Sequence, residues 1–356
     1  GVYVLPNVNE YLTLRSHPDS SSKSLAKLLP GERMRVLSWE DAFCQVEVPS
    51  KGMTGWVNSG YIMAENLSSD RWPYDYTALR NDVELLKTMP ACEVENIGVT
   101  ADGREIPVIR FGAPDAEHHV LIQAGMHARE IMTGRLAADL LLQLTEESPD
   151  GLEDVCLHVV PVVNPDGLEI AVHGASAIRD DALRSGVESV LRSEKESCQD
   201  WKANARCVDL NRNFDAGWDA LKRRTPGSQR YRGEAPVSEP ESRALVDYVE
   251  RYPFDATISL HSKGSLIYWL GASGSLKEVN KSFVTCLSAA TGYAPVTTES
   301  NVEKGGFKDW ALECKGIPSV TIEIGCRESA GSLEEYSGIL LRCGSLFTAA
   351  ADWVRN

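Results

Sequence analysis

The feature that most constrains this chain is an alternation of short, wholly apolar runs with longer runs of helical period. "HHVLIQAGM" (118–126) reads as a buried strand, "IMTGRLAADLLLQLTEE" (131–147) sets Leu136, Leu140 and Leu144 on one helical face, and "VCLHVVPVV" (155–163) is another buried strand. Farther on, "SEPESRALVDYVERY" (238–252) reads as a helix opened by a capping box from Ser238 to Glu241. "ATISLHS" (256–262), "SLIYWL" (265–270) and "IPSVTIEIG" (317–325) complete the strands. Such alternation predicts an α/β sandwich around a mostly buried sheet, and ligand sites in such folds lie at strand ends.

Residues 1 to 66 follow a different rule. "EYLTLRS", "RMRVLSWE", "FCQVEV" and "TGWVNSGYI" are short β-type runs punctuated by Gly, Pro, Asn and Asp, the spacing of a small all-β barrel. With "LTLRS" on an early strand and "GWV" on the last, this stretch resembles the bacterial SH3-like barrel, a resemblance that implies wall targeting. The polar stretch that follows predicts a linker over 67–78, with the second unit occupying 79–356.

The formal charge of −15, with no run of Lys or Arg, argues against nucleic acid as a partner. The longest apolar stretches, such as "LAADLLLQL", fall far short of the roughly 20 residues needed to span a bilayer. The opening "GVYVLPNVNEYLTLRS" reads as a strand start rather than a secretory leader, and a processed N-terminus fits equally well. Nine cysteines without C-x-x-C spacing indicate neither a zinc ribbon nor a dense disulfide framework.

The chemistry concentrates at strand ends. His127 and Glu130 in "GMHARE" sit where a strand gives way to a helix, so a bend can turn both side chains toward one point. His261 ends the strand "ATISLHS". Two histidines and a glutamate form a catalytic rather than a structural zinc set, leaving a fourth position for water. Taken singly, each histidine is more often a satisfied polar residue than a ligand; the shared placement at strand ends sets these apart from His17, His118, His119, His158 and His173, which receive no chemical role.

The ordered motifs "HARE", "VDLNRNF", "SLHS", "GGFKDW" and "TIEIG", with "YRGEAPVSEPES", resemble the zinc carboxypeptidases of the carboxypeptidase A type over about residues 79 to 356. The resemblance implies a mixed-sheet α/β/α catalytic domain. It also implies one zinc per chain held by His127, Glu130 and His261, with Glu323 of "TIEIG" as general base. A carboxylate beside zinc suits that task because the ion lowers the pKa of water toward 7.

Asn211 and Arg212 match the family's pair that holds a substrate carboxylate, for which the planar guanidinium fork is suited. A further cation is needed for the oxyanion, and Arg206 is the first candidate with Lys202 the second. Where many members carry a tyrosine four residues before the paired glycines, this chain has Asn301. Lys308 of "GGFKDW" falls where the family has the base of the pocket for the released residue, and a lysine there implies a side chain bearing a carboxylate. Diaminopimelate is such a residue, and "GGFKDW" with "IPSVTIEIG" resembles the γ-D-glutamyl-diamino acid peptidases of wall turnover.

Together the two halves imply a bacterial enzyme of the cell envelope or exterior. It is expected to hydrolyse a murein peptide at the γ-D-Glu to diaminopimelate bond, with the barrel free to bind wall. The alternatives are a general carboxypeptidase on ordinary peptides and a non-catalytic wall-binding protein.

Overall fold

The N-terminal strands are β1 (Val2–Val4), β2 (Leu12–Arg15), β3 (Ser24–Leu28), β4 (Arg33–Glu40), β5 (Phe43–Val48), β6 (Met53–Asn58) and β7 (Ile62–Ala64). They form one antiparallel sheet in the order β3-β2-β6-β5-β4-β1-β7. Period-two alternation drives it: Cys44, Val46 and Val48 of β5 face inward onto Leu14, Val57 and Ile62, while the intervening residues stay partly exposed. The edge strands β3 and β7 do not stand out as separate runs in the sequence: β3 is largely exposed or half-buried, and β7 is only three residues long. This computed structural model describes residues 1–5, 8–40, 42–64, 70–298, 304–325 and 332–356.

The stretch read from composition as a linker is packed structure from Arg71 onward, because its polar groups find buried partners. Arg71 pairs with Asp82 and Asp139, and the buried Tyr74 hydroxyl donates to Asp82 at 2.9 Å. Helix α1 (Tyr76–Leu86) then starts at Asp75, whose carboxylate accepts from the Ala78 N–H at 2.8 Å.

The larger unit continues with β8 (Cys92–Val99), β9 (Glu105–Phe111), β10 (His118–Gln123), α2 (Ile131–Glu147), β11 (Val155–Val160), α3 (Pro165–His173) and α4 (Asp181–Glu194). It ends with α5 (Pro240–Val249), β12 (Ala256–Ser262), β13 (Leu266–Tyr268), α6 (Gly274–Thr291), β14 (Ala294–Pro295), α7 (Phe307–Trp310), β15 (Ser319–Ile324), α8 (Leu333–Cys343) and α9 (Leu346–Val354). The sheet order is β14-β13-β15-β12-β10-β11-β9-β8, with the central four strands parallel and antiparallel pairs at β13–β15, β9–β11 and β8–β9.

One face of the sheet packs against α1, α2, α6, α8 and α9, the other against α5 and α7. Leu136, Leu140, Leu141 and Leu144 of α2 are all buried, and each such side chain contributes about 1.5–3 kcal/mol by leaving water. Both faces being covered explains why the central strands read as unbroken apolar runs. Among the described residues no helix is long and apolar enough to cross a membrane, and the eight described cysteines are free thiols. The small β unit rests on α8, whose Leu341 packs against its core.

The expected capping box does not form. Pro240 takes the first helical position, which moves the cap to Glu239 and leaves Ser238 one residue too early. Ser238 Oγ instead accepts from Asn213 Nδ2 at 3.0 Å and donates to Glu239 at 2.8 Å. Glu241 turns into the protein, accepts from Asn204 Nδ2 at 3.1 Å, and is pushed by burial up to about 8.

Two histidines without assigned chemistry make a buried relay. His119 Nδ1 lies 2.9 Å from His158 Nε2, and His158 Nδ1 lies 2.6 Å from the Tyr248 hydroxyl. Burial, then the neighbouring His119 and Arg110, push His158 from its ordinary 6.5 down to about 3. The fold therefore holds the neutral ring: that stability is complete above pH 6.5 and is lost as pH falls from there toward 3. The His158→Gln variant, which cannot titrate, is expected to show a flatter decline in unfolding free energy between pH 7 and 5. Denaturant titrations giving parallel declines for both proteins would remove His158 from the acid limb.

Candidate active site

The loop after β10 depends on Gly125, which adopts φ +59° with its α-carbon so close to Val162 that a Cβ would stand 3.0 Å from the Val162 Cα. The Gly125 N–H donates to Thr133 Oγ1 at 3.0 Å and that hydroxyl donates to the Glu130 carbonyl at 2.7 Å, tying the loop to the first turn of α2. The turn brings His127 Nδ1 to 2.9 Å from Glu130 Oε1. Strand β12 then delivers His261, whose Nδ1 lies 3.0 Å from Glu130 Oε2 and 3.1 Å from His127 Nδ1. Glu130 stands at the head of α2 yet does not cap it, and its carboxylate accepts instead from the Ser262 N–H at 3.1 Å. All three side chains are buried.

Behind them is Asp209, which has no assigned role in the sequence reading. Its Oδ1 lies 3.1 Å from His127 Nε2, and it also accepts from the N–H groups of Asn211 (3.1 Å) and Arg230 (2.8 Å). Burial acts to raise its pKa, but His127, and after it the charges of Arg212 and Lys202, hold it well below the usual carboxylate range. A bond from Nε2–H to Asp209 leaves the Nδ1 lone pair of His127 facing a carboxylate and a second imidazole. Such acceptors repel one another unless they share a positive charge, and although burial opposes it, Glu130 and Asp209 make His127 more basic than usual. The donor set fits zinc.

Asp209 is placed to orient the His127 ring, and the sequence signal for it was an acid between Val208 and Leu210 in a buried run. The Asp209→Asn variant is expected to weaken zinc binding by about 10- to 100-fold. Competition with a calibrated chelator measures this, and unchanged affinity would make Asp209 a purely structural residue.

Beside the triad opens a cleft of about 330 Å³ lined by His127, Lys202, Arg212, Lys308 and Glu323, with Tyr268, Trp269 and Thr321 among its walls. Sheet register accounts for the neighbours: Glu323 of β15 lies beside His261 of β12 and Leu266 of β13, and Thr321, two residues earlier and on the same face, lies beside Tyr268. The Glu323 carboxylate makes no hydrogen bond among the described residues. Burial, then the charge of Glu130, push it up to about 7.

Asn211 and Arg212 form a single 3₁₀ turn capped by Asp209. Asn211 Oδ1 accepts from the Phe307 N–H at 3.2 Å, and a Cβ on Gly306 would stand only 2.7 Å from that oxygen, so a glycine is required there. Arg212 faces the cleft, with Nη1 donating to the Asn211 carbonyl at 2.7 Å. Lys308 also reaches the cleft, its ammonium donating to the Leu270 carbonyl at 2.7 Å and to Asp309 Oδ1 at 2.6 Å.

Arg206, the first candidate for the oxyanion, lies away from the cleft. It is exposed and is not among the residues lining the cleft, because the chain reverses between Asn204 and Cys207, where the Cys207 N–H donates to the Asn204 carbonyl at 3.1 Å, and points it outward. Among the described residues Lys202 is the cation paired with the triad, with Nζ 3.8 Å from Glu130 Oε1. Asn301 lies outside the described residues.

Residues 83–344 match the family described as zinc carboxypeptidase, and residues 10–63 match the bacterial SH3 domain. The gamma-D-glutamyl-L-diamino acid endopeptidase 1 of Lysinibacillus sphaericus is 30% identical over 291 residues, covering 78% of this chain and 72% of that protein. Carboxypeptidase B of Astacus astacus is 27% identical over 277 residues, covering 70% of this chain and 86% of its own. The fold is similar to that of carboxypeptidase A from Helicoverpa armigera, with a TM-score of 0.61 at 19% identity over 79% of this chain and 73% of that one.

Proposed function

The chain belongs to the zinc carboxypeptidase family, and we propose that it hydrolyses the bond between γ-D-glutamate and a diamino acid, diaminopimelate, in bacterial wall peptides. The observation that carries this reading is one cleft in which His127 of the buried triad and the Glu323 carboxylate, without a hydrogen bond among the described residues, share a wall with Lys202, Arg212 and Lys308. Such a wall suits a substrate with more than one carboxylate. The similarity to an endopeptidase named for the γ-D-glutamyl-L-diamino acid bond supports the choice of substrate.

In this reading His127, Glu130 and His261 hold the metal, with Asp209 fixing the first of them. When bound, zinc lowers the pKa of a water toward 7 and polarises the scissile carbonyl. Glu323 takes the proton from the attacking water and passes it to the leaving amine; a base with a raised pKa does both near neutral pH. Lys202 faces the oxyanion as it develops. Arg212, with Asn211 beside it, clamps a substrate carboxylate, and Lys308 meets the diamino acid side chain.

The module over 1–66, joined through 67–78 to the catalytic part over 79–356, would hold the enzyme on the wall, consistent with action in the envelope or outside the cell. The test is mass spectrometry of isolated muropeptides after digestion by the zinc-loaded protein. Cleavage that frees the amino group of diaminopimelate from D-glutamate is expected. Release of single C-terminal residues from ordinary peptides, with muropeptides intact, would instead identify a general carboxypeptidase, and no turnover of either a wall-binding protein.

A further inference from the structure

We infer that Lys308 and Asp309 act as one reading head for a zwitterion, recognising both the ammonium and the carboxylate at the far end of the diamino acid side chain. This rests on the diamino acid reading above and sharpens it.

Both side chains line the cleft, and both are largely desolvated, at 14% and 17% exposure. Lys308 Nζ has three N–H groups, of which one goes to the Leu270 carbonyl and one to Asp309 Oδ1. Among the described residues a third donor is left over, and Asp309 Oδ2 carries no hydrogen bond. The wall therefore offers a donor with positive charge and an acceptor with negative charge side by side, with no net charge between them.

That neutrality decides what fits. A side chain ending in a carboxylate alone brings its charge against Asp309, and one ending in an ammonium alone brings its charge against Lys308. In a desolvated pocket either mismatch is a repulsion as well as a lost contact. A side chain that ends in both groups on one carbon satisfies the two wall residues together. Diaminopimelate has that ending; lysine and glutamate each have half of it.

Reach is compatible. Leu266 lies beside Glu323; Leu270, whose carbonyl holds Lys308, is four residues farther along; and Glu323, Lys308 and Asp309 all line the same cleft.

The test uses the zinc-loaded full-length protein and three muropeptides: one with unmodified diaminopimelate, one with its distal carboxylate amidated, and one with its distal amine acetylated. The parent protein is expected to prefer the first over each of the others by about 10-fold or more in kcat/KM. Lys308→Met is expected to erase the discrimination against the amide while keeping that against the acetyl form, and Asp309→Asn the reverse. Because each variant is judged by a ratio between substrates, partial loss of folding does not mimic this crossed pattern. Equal cleavage of all three peptides by the parent, or both discriminations surviving in both variants, overturns the pair as the reader. If the parent cleaves ordinary peptides but no diaminopimelate muropeptide, the proposed substrate is wrong and the inference goes with it.

Discussion

Glu323→Gln is expected to keep its zinc and its melting temperature while turning over wall peptide about 10²- to 10⁴-fold more slowly. The amide is nearly the same shape, so β15 and its register with His261 and Leu266 are undisturbed. What disappears is a group able to accept a proton, in a place where burial and the nearby Glu130 have already raised its affinity for one. Loss of that size corresponds to about 3–5 kcal/mol of transition-state stabilisation. Zinc content, thermal melting and steady-state kinetics decide it together. Activity within a few-fold of the parent, with zinc retained, would take Glu323 out of the proton transfer.

The second large effect separates two cations that sequence alone ranked the other way. Lys202→Met is expected to lower kcat by about 10²- to 10³-fold with KM little changed, the loss seen when one donor to a developing oxyanion is removed. Arg206→Met should stay within a few-fold of the parent, since its side chain is exposed and outside the cleft. Lys202 also lies 3.8 Å from Glu130, so zinc content must be measured alongside to separate a lost oxyanion contact from a lost metal. If Arg206→Met lost activity and Lys202→Met did not, the assignment would revert.

Much of the molecule was legible before any coordinates. The α2 boundaries, the buried strands and the gathering of His127, Glu130 and His261 at strand ends all follow from periodicity, because a fully covered parallel sheet leaves long apolar runs whose ends are conspicuous when they turn polar. Edge strand β3 was less distinct since most of its residues are only partly covered, β7 since it is three residues long, and the cap of α5 differs because one proline moved it by a residue.

By itself, then, the sequence determined the layered class of the fold and the small β module ahead of it, each marked by local pattern, while its resemblance to the zinc carboxypeptidases singled out His127, Glu130 and His261 as candidate metal ligands and Glu323 as candidate base. The tertiary structure alone decided which of Arg206 and Lys202 reaches the cleft, that Asp209 backs His127, and that Lys308 is shared with Asp309 and the Leu270 carbonyl. The physical reason is that direction and partnership of a loop side chain depend on how the backbone turns between Asn204 and Cys207 and on which distant strand lies opposite. Neither is written in the spacing of the residues that meet there.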